Sequence, residues 1–348
     1  MSLNLIQILN QENFTRDEII FLLNLQKEEE IKQLFVKADE IRKIYCGDEV
    51  HLRGVIEFSN YCDENCMYCG LRDDNFSISR YRMSPEEIIE TAKLISNVGI
   101  KTVVLQSGED GYFDTDMIAY VIYTIKQNSD VAVTLSLGDR GFEEYRNWKI
   151  AGADRYLLKH ETANPRLYSI YHNGEHLDDR VGHLRYLKSL GYQIGSGNLI
   201  GLPSQTIPDL ADDILLMHEL GVNMAAVGPF IPSPFTPYQN RKHGSVELTL
   251  KTMAVTRILL KDVHIPATTA LDSLDNFGRE KGLNCGANVV MPNFTPHPYR
   301  ENYTIYSNKR GINDDPELVH KSILNRIQSI GRKISHTRGD SPKLNINI

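Results

Sequence analysis

The 348-residue chain contains no run of about 18 apolar residues of the kind that crosses a bilayer. Its first residues, Met1-Ser2-Leu3-Asn4, show neither the basic stretch nor the apolar one of a secretory leader. A soluble, cytoplasmic protein is the expectation. A basic tract is missing too: pairs such as Lys309-Arg310 and Arg332-Lys333 stand alone, and the formal net charge is −7. Generic binding to nucleic acid is thereby disfavoured. No P-loop, GxGxxG or HExxH occurs, and the one HxxxH pair, His172 and His176, has Asn173-Gly174 between its members, which argues against a helical metal site. Cysteines number five, too sparse and too odd for a disulfide framework.

Three of those five carry the strongest signal in the chain. Cys62, Cys66 and Cys69 form CxxxCxxC directly after the apolar run Ile56-Glu57-Phe58-Ser59, with Tyr68 before the third. Three thiolates on one short loop can hold three irons of a 4Fe-4S cube and leave the fourth iron open to a small molecule. A structural zinc wants four closed ligands, and no fourth stands near the loop. The spacing, with its aromatic residue, is similar to the radical S-adenosylmethionine (SAM) signature, in which SAM chelates the open iron and one electron cleaves it to a 5′-deoxyadenosyl radical. Cys46 and Cys285 lie outside the motif and are read as buried or inert thiols.

Nothing in the middle of the chain reads as a linker. Residues 1–50 read as helices, with a capping box at Thr15 to Glu18 and Ile31, Leu34, Phe35, Ala38 and Ile41 on one face. This segment is expected to pack across one end of a barrel. From Leu52 on, β-branched runs alternate with amphipathic stretches: Leu52–Ser59, Thr102–Glu109, Ala132–Gly138, Arg155–Glu161, Gly195–Pro203, Met224–Pro232, Ile265–Leu271 and Ala287–Asn293. Ser84-Pro85-Glu86-Glu87 opens a helix that Gly99 follows, and Gly152, Gly191 and Gly221 end later ones. Eight strand–helix repeats predict an α/β fold, a (β/α)8 TIM-type barrel over 51–310. Residues 311–348 then give a short helix, Pro316 to Gly331, and a polar tail expected to be disordered from about His336.

Ligands in such barrels are held at the C-terminal ends of the strands. The second run ends Gln106-Ser107-Gly108-Glu109-Asp110, whose glycine permits close approach and whose carbonyls can receive the SAM ammonium; a plain strand-to-helix turn looks alike. Thr134 and Ser136 alternate with leucines and point inward together, either to satisfy backbone groups or to bind a polar ligand. Glu161 can accept from ribose hydroxyls or form a surface salt bridge, and Arg180 can fork onto a carboxylate or stay solvated. Met224, Thr268-Thr269, Met291-Pro292-Asn293, Tyr303 and Tyr306 fall late in the barrel, as cavity lining or as core filler.

Longer strings narrow the reading. RYRMSPEE (80–87), VVLQSGED (103–110), AGADRYLLKHETANP (151–165), GPFIPSPFTP (228–237), IPATTA (265–270) and CGANVVMPNFTPHPYR (285–300) resemble HydE, the radical SAM maturase family of FeFe hydrogenases, within the biotin synthase and methylornithine synthase group. The resemblance implies a 4Fe-4S cluster on Cys62, Cys66 and Cys69, with SAM near Tyr68, Gln106, Gly108, Glu109, Ser136, Glu161 and Arg180. It likewise implies a substrate cavity near Thr134, Arg155, Met224, Thr268, Thr269, Met291, Tyr303 and Tyr306. The implied substrate is a cysteine-bound iron carbonyl cyanide complex made by the maturase HydG, on the way to an azadithiolate-bridged di-iron cofactor assembled on HydF, with an external one-electron reductant. Many HydE sequences bear three further C-terminal cysteines for an accessory cluster; this chain has none after Cys285. A radical SAM mutase or lyase on a small amino acid, and a noncatalytic iron-sulfur scaffold, stay open beside this reading.

Overall fold

The computed structural model of the chain describes residues 4–312 and 316–343; residues 1–3 of the N-terminal segment, 313–315, and 344–348 of the tail lie outside them. Nine strands are present among the described residues: β1 (Glu49–Leu52), β2 (Gly54–Ser59), β3 (Thr102–Ser107), β4 (Ala132–Ser136), β5 (Arg155–Leu157), β6 (Gln193–Ile200), β7 (Met224–Pro229), β8 (Val289–Val290) and β9 (Lys333–Ile334). Strands β2 to β7 pair in sequence order, all parallel. The ring then closes through single bridges: Ala225 N–H donates to His264 O at 2.9 Å, Ala267 N–H to Val289 O at 2.9 Å, and Val55 N–H to Pro292 O at 2.9 Å. The result is the expected α/β barrel, its seventh position thinner than predicted.

The run Ile265–Leu271 does not extend as a strand. Pro266 has no N–H for a ladder, and Thr268 turns its hydroxyl onto Leu271 N–H at 3.3 Å as the N-cap of the helix Thr269–Leu274. The first run breaks at Arg53 into β1 and β2, and the fourth and eighth shorten to β5 and β8. Helices cover the outside. Ser84 and Glu87 cap Pro85–Asn97 reciprocally, and that helix buries Ile88, Ile89, Ala92 and Ile95 against the sheet. Gly54 lets it approach, since a Cβ there would lie 2.6 Å from Ile95 Cγ2.

The N-terminal helices lie along the flank, not across an end. Helix Glu28–Cys46 packs on Val246–Leu260 and Arg16–Leu23 on Ile207–Leu220, where Arg16 pairs with Asp212 at 2.6 Å. Val246–Leu260 is buried from Thr249 to Leu260, its Lys251 and Arg257 included, and the N-terminal segment supplies its outer cover, with Lys251 donating to Leu25 O at 2.8 Å.

The tail is ordered where described. β9 pairs with β1, and the chain then turns under the N-terminal end of the barrel. There Arg338 O accepts from Thr102 Oγ1 (2.9 Å) and Arg155 (2.7 Å), while the Asp340 carboxylate accepts from Arg155 and Gln193, each at 2.8 Å. Buried polar groups at the strand starts need partners, and a polar tail provides them. No helix among the described residues is long and apolar enough to cross a membrane.

Candidate active site

At the opposite end the strands finish around a cavity of about 1100 Å³. Register aligns Glu57 with Gln106 and Gln106 with Ser136, so their side chains leave the sheet on one face. Glu57, Gln106, Leu157, Lys159, Glu161 and Gly228 line the cavity, and Cys66, Tyr68 and Cys69 form part of its wall. Thr268, Thr269, Met291 and Tyr306 line it as well.

The cysteine loop is held by its backbone. Asp63 N–H donates to Glu109 O at 2.9 Å, Met67 N–H to Tyr171 O at 2.8 Å and Gly70 N–H to Ile305 O at 3.0 Å. Glu109 N–H donates to Cys62 Sγ at 3.4 Å. Two glycines permit this closeness: a Cβ on Gly108 would lie 2.3 Å from Tyr61 O, and one on Gly70 2.0 Å from Thr304 O. Burial pushes the Cys62 thiol up to about 12, with Cys69 adding to it, and raises the Cys66 and Cys69 thiols too. Tyr68 OH meets His172 Nε2 at 3.0 Å, so one member of the HxxxH pair orients the aromatic residue of the motif.

Beside the loop, one guanidinium stands among three carboxylates. Arg180 donates to Tyr168 OH at 2.9 Å and lies 3.3 Å from Asp139, 3.8 Å from Glu109 and 3.8 Å from Glu175. Burial pushes Glu109 up to about 8 against the pull of Arg180, and Glu175 up to about 7, helped by a hydrogen bond with Glu64. Glu161 stands across the cavity wall with Lys159 Nζ 2.9 Å from its Oε2.

Of the residues expected at the site, Cys66, Tyr68, Cys69, Gln106, Glu161, Thr268, Thr269, Met291 and Tyr306 meet in the cavity. Cys62, Gly108, Glu109, Ser136 and Arg180 stand outside its lining, Cys62, Gly108, Glu109 and Arg180 about the loop and Ser136 beside Gln106 in the register. Tyr303 is buried behind Gln106, whose Nε2 donates to its hydroxyl at 3.1 Å. Thr134 is paired with Arg155 two residues below Ser136, buried, its Oγ1 without a hydrogen-bond partner among the described residues. Arg155 and Met224 do not reach the cavity. Each is the first residue of its strand and so sits at the barrel's base, Arg155 on the tail and Met224 with its Sδ 2.7 Å from Arg53 Nη1.

The structure also brings in groups the sequence reading passed over. Glu57 accepts from Asn293 Nδ2 at 2.7 Å and forms a buried ion pair with Lys309. A lone carboxylate inside an apolar strand was the available signal for it. Lys159, Asp139 and Tyr168 carried no such mark. Among the described residues no three His, Cys, Asp or Glu side chains converge as ligands of one metal ion. A cube takes one thiolate per iron, so its ligands stand farther apart than those of a single ion.

The radical SAM superfamily profile matches residues 56–217. The chain is 49% identical over 329 residues to the FeFe hydrogenase maturase subunit HydE of Thermotoga maritima, covering 94% of each chain. It is 29% identical over 317 residues to the 3-methylornithine synthase of Methanosarcina acetivorans, covering 90% of this chain and 89% of that one. The crystal structure of methylornithine synthase (PylB) matches with a TM-score of 0.81 at 27% identity, over 95% of this chain and 97% of the other. With an identity of that size along nearly its whole length, and a three-cysteine loop on the wall of its barrel cavity, this chain belongs to the HydE family of radical SAM enzymes.

Proposed function

We propose that the chain is a hydrogenase-maturing enzyme in which Cys62, Cys66 and Cys69 hold a 4Fe-4S cluster, the residues around them seat SAM, and the cavity admits an iron-bound sulfur substrate. One observation carries this: the three-thiol loop and a cavity of about 1100 Å³ share a wall. The donor set fits the cluster. Three soft ligands lie on one loop fixed by its backbone. When bound, the reduced cluster and SAM supply a 5′-deoxyadenosyl radical.

The chain's own residues do the rest. Arg180 faces the carboxylate of SAM, steadied by Asp139 at 3.3 Å, while Glu109 and the backbone carbonyls beside Gly108 receive the ammonium. Glu161 accepts from the ribose hydroxyls, with Ser136, Tyr68, Gln106 and Gly108 completing the seat. Thr268, Thr269, Met291 and Tyr306 contact the substrate and keep water out. Thr134 stands below them and Tyr303 behind Gln106.

The substrate in this reading is the cysteine-bound iron carbonyl cyanide complex delivered by HydG, its sulfur the atom to be modified, and the product goes toward the azadithiolate cofactor on HydF. Likeness to 3-methylornithine synthase supports a second reading, a rearrangement of a small amino acid in the same cavity. The test is an anaerobic assay of the reconstituted, reduced protein with SAM, following 5′-deoxyadenosine with and without the iron–cysteine complex. Turnover that rises with the complex and yields a sulfur-modified iron product is expected; turnover indifferent to it moves the substrate to amino acids.

A further inference from the structure

Glu161 occupies a backbone position that few residues other than glycine tolerate. Its φ is +58°, and Thr162 N–H donates back to His160 O at 2.6 Å, closing a three-residue turn of the disfavoured hand. Such a turn persists only where its surroundings over-determine it. On the upstream side, Ser196 Oγ lies 3.2 Å from His160 N and 2.8 Å from its Nδ1. Glu161 itself donates from N to Gly197 O at 3.0 Å and accepts from Leu199 N at 3.3 Å.

The downstream side rests on a side chain that no reading of the site so far uses. Asp213, on the helix Ile207–Leu220, is fully buried. Its Oδ1 accepts from Ala163 N–H at 2.5 Å, and its Oδ2 from Asn198 Nδ2 at 2.8 Å. Asn198 is the bridge partner of Glu161. One donor is thus the backbone two residues after Glu161, and the other the side chain of its bridge partner. The nearest cationic candidate is His160 Nε2 at 4.0 Å, and burial keeps that imidazole neutral, with its pKa lowered to about 3. Burial pushes Asp213 itself up to about 7 against the pull of its two donors, and an acid buried without a cation is costly to folding, so helix packing alone does not account for it. Two simultaneous acceptor oxygens facing two fixed donors do.

We propose that Asp213 is a positioning residue for SAM: from behind the barrel wall, without touching the cavity, it sets the strained turn that aims Glu161 at the ribose. The proposal rests on the reading of Glu161 as a ribose contact. An asparagine at 213 can accept from only one of the two donors and turns its own amide hydrogens toward the other.

The test uses the full chain with its cluster reconstituted. Dissociation constants are measured for SAM and for the analogue lacking the ribose 2′-hydroxyl, in the wild type, Glu161→Gln, Asp213→Asn and the double variant, alongside each thermal midpoint. Asp213→Asn is expected to weaken SAM binding roughly 3- to 10-fold, no more than loss of Glu161 itself, and to erase the preference for SAM over the analogue, with the double variant no worse than Glu161→Gln. A lowered midpoint with the preference intact makes Asp213 merely structural and overturns the proposal, as do additive losses in the double variant. If Glu161→Gln itself leaves the preference unchanged, the ribose reading fails first and takes the proposal with it. Should Asp213→Asn not accumulate folded, Asn198→Ser removes one of the two donors and is judged by the same preference.

Discussion

The two ends of this barrel solve opposite problems with similar residues. At the N-terminal end, Arg155, Gln193 and Thr102 are buried and each finds its partner in the returning tail. At the C-terminal end, Cys66, Cys69, Gln106 and Glu161 face a cavity instead of one another, with Cys62, Glu109 and Arg180 just outside its lining. Closed hydrogen bonding builds stability; soft sulfur donors gathered at the wall of an open cavity build affinity for something else. Substitutions at the two ends should therefore be read out by different measurements.

The sharpest break comes at the open end. Cys62→Ser, Cys66→Ser and Cys69→Ser are each expected to reduce 5′-deoxyadenosine formation to background, with the unfolding of the metal-free protein little changed; one variant with wild-type yield removes that cysteine from the cluster. The converse belongs to the closed end. Deleting residues 335–348 leaves the buried Arg155 guanidinium without Asp340, which is expected to cost about 3–5 kcal/mol. Urea unfolding of the metal-free protein measures it. SAM affinity in whatever fraction stays folded should be unaltered, and a loss of affinity would join the two ends that the geometry separates. Smaller again, Glu161→Ala is expected to weaken SAM binding roughly tenfold, about one lost charge-assisted hydrogen bond, by calorimetry.

The same contrast explains what was legible in the residues. The cysteine loop and the capping boxes at Thr15 and Ser84 are local patterns, complete within a few positions, and they stand where the sequence puts them. The barrel followed from alternation. The tail could not be read, because the partners of Arg338 and Asp340 in the barrel lie 76 to 236 positions away in sequence and a polar segment that pairs with buried cations has the composition of one that stays in water. Ile265–Leu271 misled for a local reason: β-branched threonines favour strands, yet Thr268 serves as a helix cap. Arg155 and Met224 show that alternation gives the face of a strand but not the height along the barrel. Asp213 gave no sequence signal, since an acidic residue on an amphipathic helix is ordinarily solvated.

The smallest expected effect concerns pH and again pairs the two ends. Burial lowers His160, near the open end, to about 3 and His51, at the base, to about 4. Both pKa values fall below the unfolded value near 6.5, so the unfolded chain binds a proton that the folded chain refuses. Each histidine therefore contributes stability above pH 6.5 that is lost as pH falls toward its folded value. Between pH 7 and 6 the loss per histidine is about 0.7 kcal/mol, steepening to about 1.2 kcal/mol per unit near pH 5 and levelling off below the folded value. Unfolding of the metal-free protein at several pH values measures the slope, and His160→Gln should flatten it by one histidine's share whatever its effect at pH 7. A slope unchanged by that substitution would mean that His160 takes up its proton in the folded protein, and the imidazole 4.0 Å from Asp213 would then be a cation paired with it.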